Sequence, residues 1–326
     1  MSELVVAAFA AETGTHVVDE PRQARFAAFR RRFDRGAYAA SLAARGLRFL
    51  ARSAPGFPPL LRAIHDPPVG LFLRGRVEPE LLSRPAVAIV GARACSPYGA
   101  QVARMLGREL AAAGLVVVSG LARGVDGEAH RGALEAGGAT IGVLGCGIDR
   151  DYPAAHRELA RRIGDSGLVV SEYAPGVEPA PWRFPARNRI IAGLCAATVV
   201  VEAREASGAL ITADLALEEG REVFACPGEI TSALSAGSNA LLRLGATPLT
   251  SVGDVLESFG IEETARARVE VGDAARAVLE RLRDAAASAD ELTRTTDLQA
   301  AELAVALSEL ELALLVSVSD GIYRAV

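Results

Sequence analysis

The chain has 326 residues, half of them apolar, which predicts two or three domains with at least one sizeable core and excludes a disordered polypeptide. Its net charge of −5 excludes a basic footprint spread over the whole molecule, so any nucleic-acid site must be a local cluster. No window reaches the ~18 apolar residues of a membrane-spanning helix, and Cys95, Cys146, Cys195, Cys226 and the four histidines lack the spacing of a disulfide framework or a metal site. No metal and no cofactor are therefore expected.

All 35 basic residues are arginine, which reads most simply as the codon bias of a GC-rich genome. The consequence is chemical whatever its origin. Every cationic contact to a phosphate would use a planar fork capable of bidentate bonds. The opening "MSELVVAAFAAETG" has an acid where a secretory signal carries a basic stretch, so a cytoplasmic protein is expected.

In chain order, residues 1–76 carry 12 arginines against 6 acids. "PRQARFAAFRRRF" and "AYAASLAARGLRFLA" read as helices, and Pro55, Pro58 and Pro59 mark a linker, so 1–55 is expected to be a small helical domain.

From Pro85 to about Leu256 apolar strands alternate with helix-length segments, the pattern of a doubly wound, mainly parallel α/β sheet. Strands are predicted at 86–91, 115–119, 139–144, 167–171, 197–202 and 221–225. Helices are predicted near 98–113, 126–136, 155–163, 186–195, 208–219 and 236–244. Gly114 and Gly220 sit where a helix C-terminus needs positive φ. Such a sheet binds ligands beyond the carboxyl ends of its strands, and four of those ends carry chemistry.

The first is "VGARACS": Gly91 lets backbone approach a ligand, Arg93 adds a full charge, and Ser96 can cap a helix whose N-terminus attracts an anion. The second, "SGLARGVDGEAH", places Arg123 between two glycines. Asp126 and His130 lie four apart on the following helix and read as an acid at a helix start and a packed histidine, rather than as an acid–base pair. The third, "WRFPARNR", interleaves Arg183, Arg187 and Arg189 with Trp182 and Phe184, a mixture that suits a sugar-phosphate backbone and stacked bases. The fourth, "EAREASGALIT", offers Ser207, Gly208 and Thr212 at a strand-to-helix turn. These ends carry no Walker lysine, no adjacent pair of carboxylates and no Ser-His pair in a hydrolase context, and Cys146 between its glycines has no neighbouring His to activate it. The crevice is expected to hold phosphates and not to cut bonds.

After a polar stretch at 262–273, "ARAVLERLRD", "SADELTRTT" and "QAAELAVALSELE" read as three helices, with Ser288 as an N-cap. "ALLVSVSDGIYRAV" alternates around Asp320-Gly321, a hairpin signal, and three helices plus a hairpin make a winged helix-turn-helix at 273–326. Its second long helix holds three glutamates and no arginine, so it is expected to bind protein or pack internally, not to enter a groove lined by phosphates.

The motifs from "FPPLLRAIHDPPVGLFLRG" through "AIVGARACSPYG", "VVSGLARGVDGEAHRGALEAGGATIGVLGCGIDRDYP", "FPARNRIIAGL" and "AGSNALLRLGA", over about residues 57–247, closely resemble the DNA-processing protein A family (DprA, also called Smf). The resemblance implies an extended Rossmann-like domain over 56–262 that binds single-stranded DNA without catalysis, a helical SAM-like domain before it and a winged helix after it. It also implies a homodimer, through the helix around Ser238–Arg243, that brings the recombinase RecA onto incoming strands during natural transformation. Carried over by motif, the DNA-binding set is Gly91, Arg93, Ser96, Ser119, Gly120, Arg123, Gly124, Arg183, Phe184, Arg187, Asn188, Arg189, Ser207 and Gly208. Ala206 stands where the family usually has a basic residue before "SG", and Arg204 is the candidate substitute. The alternative is a nucleotide N-glycosidase of the lysine-decarboxylase-like group, whose "PGGxGT" stretch is replaced here by "EAREASGALIT".

Overall fold

The computed structural model describes residues 3–15, 19–262, 271–313, 315–319 and 321–325. The chain divides into two compact units, Met1–Glu262 and Glu263–Val326.

The first unit opens with α1 (Glu3–Thr13), α2 (Ala24–Arg32) and α3 (Arg35–Ala44). Val5, Val6 and Phe9 of α1 are buried with Phe26 and Phe29 of α2, the Phe9 and Phe26 rings meeting edge to face at 5.2 Å. This small aromatic core does not stand alone. It is continuous with Phe72, Leu144, Ile163 and Val169 of the following α/β layers.

The segment 37–51, expected as one helix, is instead α3 followed by a strand, β1 (Leu47–Ala51). Gly46 ends the helix with φ +66°, a conformation that glycine adopts without steric cost. β1 then pairs antiparallel with β2 (Gly70–Arg74), the two flanking α4 (Pro59–Arg62). A Cβ at Gly70 would lie 2.3 Å from the Phe49 ring, so the hairpin closes only because that position has no side chain.

The expected alternation follows: β3 (Ala86–Val90), α5 (Pro97–Ala112), β4 (Val116–Ser119), α6 (Val125–Glu135), β5 (Thr140–Val143), α7 (Arg157–Ser166) and β6 (Leu168–Ser171). Then come α8 (Arg183–Leu194), β7 (Ala197–Val200), α9 (Gly208–Glu218), β8 (Glu222–Ala225), α10 (Ala236–Arg243), β9 (Thr247–Pro248) and α11 (Val252–Ser258). The nine strands form one sheet in the order β1-β2-β6-β5-β4-β3-β7-β8-β9. Its strands are parallel except where β2 meets β1 and β6.

Strand periodicity sorts the core into two faces. Ala88 and Val90 of β3 pack with Leu61, Ile190 and Ile191 on one side, while Val87 and Ile89 pack with Leu106, Leu110 and Val255 on the other. The strands read as unbroken apolar runs because helices cover both faces.

The second unit contains α12 (Asp273–Asp284), β10 (Ala287–Ser288), α13 (Ala289–Thr295), α14 (Ala300–Leu312), β11 (Val316–Ser319) and β12 (Ile322–Ala325). β12 lies between β10 and β11, and Val278, Leu282, Leu292, Leu303 and Leu310 fill the core, a winged-helix arrangement. Ser288 caps α13 as expected, its hydroxyl accepting from Glu291 N–H while the Glu291 carboxylate accepts from Ser288 N–H. Gly321 has φ +75° at the hairpin turn. Its expected partner Asp320 lies outside the described residues, as does 263–270 of the polar stretch.

Candidate functional site

The sheet reverses direction at β3. The chain moves outward through β4, β5 and β6, then returns to lay β7 on the other side of β3. A crevice opens at the carboxyl ends of strands where such an order switches. Here it is a cavity of about 320 Å³ lined by the loops after β3, β4 and β7 and by the first turns of α8.

The wall after β3 contains Gly91 and Arg93. A Cβ on Gly91 would lie 2.7 Å from Val125 Cγ2 and 2.9 Å from Glu202 O, so the strand end reaches this position only as glycine. Arg93 is exposed and makes no ion pair among the described residues, and its guanidinium lies 5.4 Å from the centre of the Phe184 ring. Ser96 is turned away from the crevice. Its hydroxyl accepts from Gly99 N–H at 3.0 Å as the cap of α5 and donates to the buried Glu202 carboxylate at 2.5 Å. Ser96 does not line the cavity, and both of its polar groups hold α5 against the end of β7.

The loop after β4 builds the floor. Ser119 is buried and donates to Ile89 O at 2.6 Å, tying β4 to β3, so it too is a structural residue and not a lining one. Leu121 and Gly124 take φ +57° and +72°, and a Cβ on Gly124 would meet Ala92 O at 2.3 Å. This strained turn folds back so that Asp126 accepts from Gly120 N–H at 3.0 Å and from Ala122 N–H at 3.3 Å. Gly120 lies behind Arg187, since a Cβ there would sit 2.5 Å from Nη2 of that side chain. Arg123 is exposed and lies off the lining of the crevice.

The three arginines of α8 have separate fates. Arg187 is buried in the crevice wall; its Nη1 donates to Gly120 O at 2.8 Å and to Val143 O, and its Nε to Asn188 Oδ1 at 3.2 Å. Arg183 is wedged between the Tyr173 and Trp182 rings, 5.2 and 4.9 Å from their centres, and donates to Glu178 O. Arg189 reaches the opposite way, donating to Glu172 at 2.6 and 3.0 Å and to Asp66 Oδ2 at 3.0 Å. Arg183 and Arg189 therefore do not line the cavity. A helix turns 100° per residue, so 189 lies about 160° round from 187 and meets carboxylates on the far side, whereas 183, about 40° from 187 at the start of the helix, is drawn off between the Tyr173 and Trp182 rings.

The lip after β7 carries Arg204, Ser207 and Gly208. Ala206 adopts φ +56° and shapes the turn. Asn188 Nδ2 donates to Gly208 O at 3.0 Å, so α8 holds this lip in place. The Ser207 hydroxyl oxygen is buried without a partner among the described residues. Arg204, exposed and without an ion pair among the described residues, is the cation this lip presents.

Charge does not balance in the crevice. Arg93, Arg187 and Arg204 line it, with Asp126 the one acidic residue among the described lining residues. Burial raises the Asp126 carboxyl above the usual carboxylate range, against the pull of Arg187 and of the Ala122 and Gly120 N–H groups. Arg187 is brought down to about 10 by burial; Asp126 opposes the shift and the neighbouring Arg93 charge adds to it. It therefore stays cationic at neutral pH, in a site where a bound anion relieves like-charge repulsion. Cys146 is inert by comparison, its thiol pushed up to about 11 by burial.

Sequence reasoning missed Ile191 and Ala122 as lining residues, since apolar positions in a helix or loop carry no sign of exposure to a cavity. Among the described residues no three His, Cys, Asp or Glu side chains gather in a way that could hold a metal, and no helix is long and apolar enough to cross a membrane.

Fold and crevice together define a doubly wound α/β protein with a cationic site at its topological switch, extended by a winged helix. Residues 48–260 match the family of DNA recombination-mediator protein A, and residues 262–321 match the DprA winged helix domain. The chain belongs to the DNA recombination-mediator protein A family. It is 50% identical over 203 residues to DNA processing protein DprA of Streptococcus pneumoniae, covering 62% of this chain and 71% of that one. An X-ray structure of DprA from that organism superposes with a TM-score of 0.68 at 40% identity, over 80% of this chain and 93% of the other. DNA processing protein A from Helicobacter pylori, whose structure describes its mode of binding single-stranded DNA, matches with a TM-score of 0.59 at 32% identity, over 65% of this chain and 95% of that one.

Proposed function

We propose that this chain binds single-stranded DNA in the crevice, holding the strand by its phosphates without cleaving it. The observation that carries the reading is the uncompensated charge: Arg93, Arg187 and Arg204 face one cavity with Asp126 as their acidic neighbour. Two of these guanidiniums are exposed for bidentate contact with a phosphodiester. The single-stranded DNA binding described for the Helicobacter pylori relative supports the same ligand class. Of the wider set inferred from motifs, Gly91, Phe184, Asn188, Ser207 and Gly208 complete the lining, while Gly120 and Gly124 shape its floor. Arg123 would meet the strand only outside the cavity.

Family membership supports the rest of the role: a cytoplasmic homodimer that presents the bound strand to the recombinase RecA in recombination and natural transformation. The winged helix serves protein contacts in this scheme, because α14 offers Glu302, Glu309 and Glu311 and no cation.

The test titrates labelled single-stranded oligonucleotide against wild type, Arg93→Ala and Arg204→Ala at several salt concentrations. Each variant is expected to bind more weakly and to flatten the plot of log affinity against log salt by about 0.7 per lost phosphate contact. Unchanged affinity in both variants, or release of free base from nucleoside monophosphates by the wild type, would overturn the reading.

A further inference from the structure

The crevice contains more than a phosphate needs. Arg93, Arg187 and Arg204 attract an anion, yet Asp126 lines the same cavity and its carboxylate would repel one. Apolar surface faces that space as well, from Phe184, Pro185, Ile191 and Ala209. The Phe184 ring is held in place: Tyr152 stacks on it with centroids 5.3 Å apart, and a Cβ on Gly145 would lie 2.8 Å from its Cδ1. At about 320 Å³ the cavity is near the lower end of the ~300–1,000 Å³ of ligand pockets, room for one base and not for a run of them.

The protein uses only half of the Asp126 carboxylate. The residue is 6% exposed, and its Oδ2 accepts from both Gly120 N–H and Ala122 N–H. Its Oδ1 has no hydrogen-bond partner among the described residues. An ionised carboxylate offers about four acceptor sites, so the two on Oδ1 are left over. Buried acceptors are normally satisfied, and what this one lacks is an N–H donor. A phosphodiester has none to give, whereas a nucleobase has. On the lip after β7 the Ser207 hydroxyl oxygen is buried and equally without a partner among the described residues. Two walls of one cavity thus reserve a polar group for the ligand.

Resting on the proposed single-strand reading of the crevice, we infer that Asp126 is a base-selecting residue: one base of the bound strand enters the cavity and sets its Watson–Crick edge on this carboxylate, with guanine preferred. The donor patterns of the bases make the choice. Thymine places one ring N–H between two carbonyl oxygens, and adenine and cytosine each place an amino group beside a ring-nitrogen acceptor. Guanine alone sets two donors side by side, N1–H and the N2 amino group, to match the two open sites of Oδ1. An unpaired strand leaves these edges free to be bonded in this way. The flanking phosphates fall to Arg93 and Arg204, both exposed.

Fluorescence-anisotropy titrations compare an oligothymidylate, the same oligomer carrying one deoxyguanosine, and one carrying deoxyinosine there, which keeps N1–H and lacks the N2 amino group. Wild type is expected to bind the guanine-bearing strand about tenfold more tightly than the plain one, with the inosine-bearing strand between them. Asp126→Asn keeps a carbonyl oxygen for the Gly120 and Ala122 N–H groups and puts an amino donor in place of Oδ1. This variant is expected to bind the plain strand more tightly than wild type does, because a negative charge has left the cavity, and to lose the guanine preference. A role confined to shaping the floor would weaken both strands alike and leave their ratio unchanged, and a preference that survives in Asp126→Asn overturns the assignment. Equal wild-type affinity for the guanine-bearing and plain strands, with Arg93→Ala still weakening both, would overturn base selection and leave the crevice standing. Failure of the wild type to bind any of the strands would overturn crevice and base selection together.

Discussion

Guanidinium groups in this molecule take their roles from what surrounds them. Arg189, with its side chain 9% exposed against a Glu172 side chain 8% exposed, is a buried ion pair. Arg187, equally buried, bonds to two carbonyls instead and keeps its charge facing a cavity. His130 shows the same dependence on context. The Thr140 hydroxyl donates its hydrogen to Val117 O at 2.7 Å, so it must accept from His130 Nδ1–H, also at 2.7 Å. That leaves Nε2 bare and buried without a partner among the described residues. Burial first, then the charges of His156, Arg131 and Arg187, hold the imidazole down at about 3, against an ordinary value of 6.5. The unfolded chain takes up this proton below 6.5 and the folded chain does not until about 3. The stability is therefore complete above pH 6.5 and is lost as pH falls from 6.5 towards 3, by at most about 1.4 kcal/mol per pH unit. Denaturant midpoints measured between pH 7 and pH 4 are expected to fall in wild type. His130→Gln should flatten that slope, and an unchanged slope would show that the limb belongs to other groups.

Among the elements, α5 shows how a helix start positions the crevice from outside its lining. Ser96 caps the helix, Pro97 opens its first turn, and the Ser96 N–H and hydroxyl both donate to Glu202 just beyond β7. The helix and the adjoining strand end are thereby clasped across the switch point. Ser96→Ala removes the cap and one of the donors to a buried carboxylate, an expected loss of about 2–3 kcal/mol. In a unit of this size that corresponds to a fall in Tm of roughly 5–10 °C, readable by calorimetry. A Tm within a degree of wild type would show that the clasp contributes nothing. The winged helix has its own logic. On α14, Glu302 accepts from Gln299 N–H at 3.0 Å and Glu309 from Gly272 N–H at 2.8 Å, so two of its three acids serve local structure. Val305 and Leu312 stand 68% and 87% exposed on the same helix, a surface that repels phosphate and offers apolar contact.

For the whole molecule, the two units differ in charge. The cationic crevice belongs entirely to Met1–Glu262, and the unit that follows carries the acidic helix. A chain ended after Glu262 is expected to keep single-strand affinity within about twofold of the full protein, with the same salt slope, since no phosphate contact is lost. A tenfold loss in fluorescence-anisotropy titrations would assign the second unit a direct role in DNA binding. The net charge of −5 gives no hint of this arrangement, because acids spread elsewhere over the surface offset a concentrated positive site.

The parallel core was legible because each strand and helix announces itself locally: apolar runs bounded by glycines, and a cap residue at the start of α5. So was the neighbourhood of the crevice, since strand ends in such a sheet converge whatever their sequence. β1 was not legible, because Leu47–Ala51 follows α3 with an apolar content that suits either period, and only its pairing with β2 makes it a strand. The direction of each arginine on α8 was not legible either. Which of 183, 187 and 189 faces the cavity depends on the rotation of the helix against the sheet, and on Glu172, Asp66, Tyr173 and Trp182 lying where they can capture the other two. Local pattern specifies backbone periodicity; long-range packing specifies which side chains are left without a partner, and those are the ones a ligand can use.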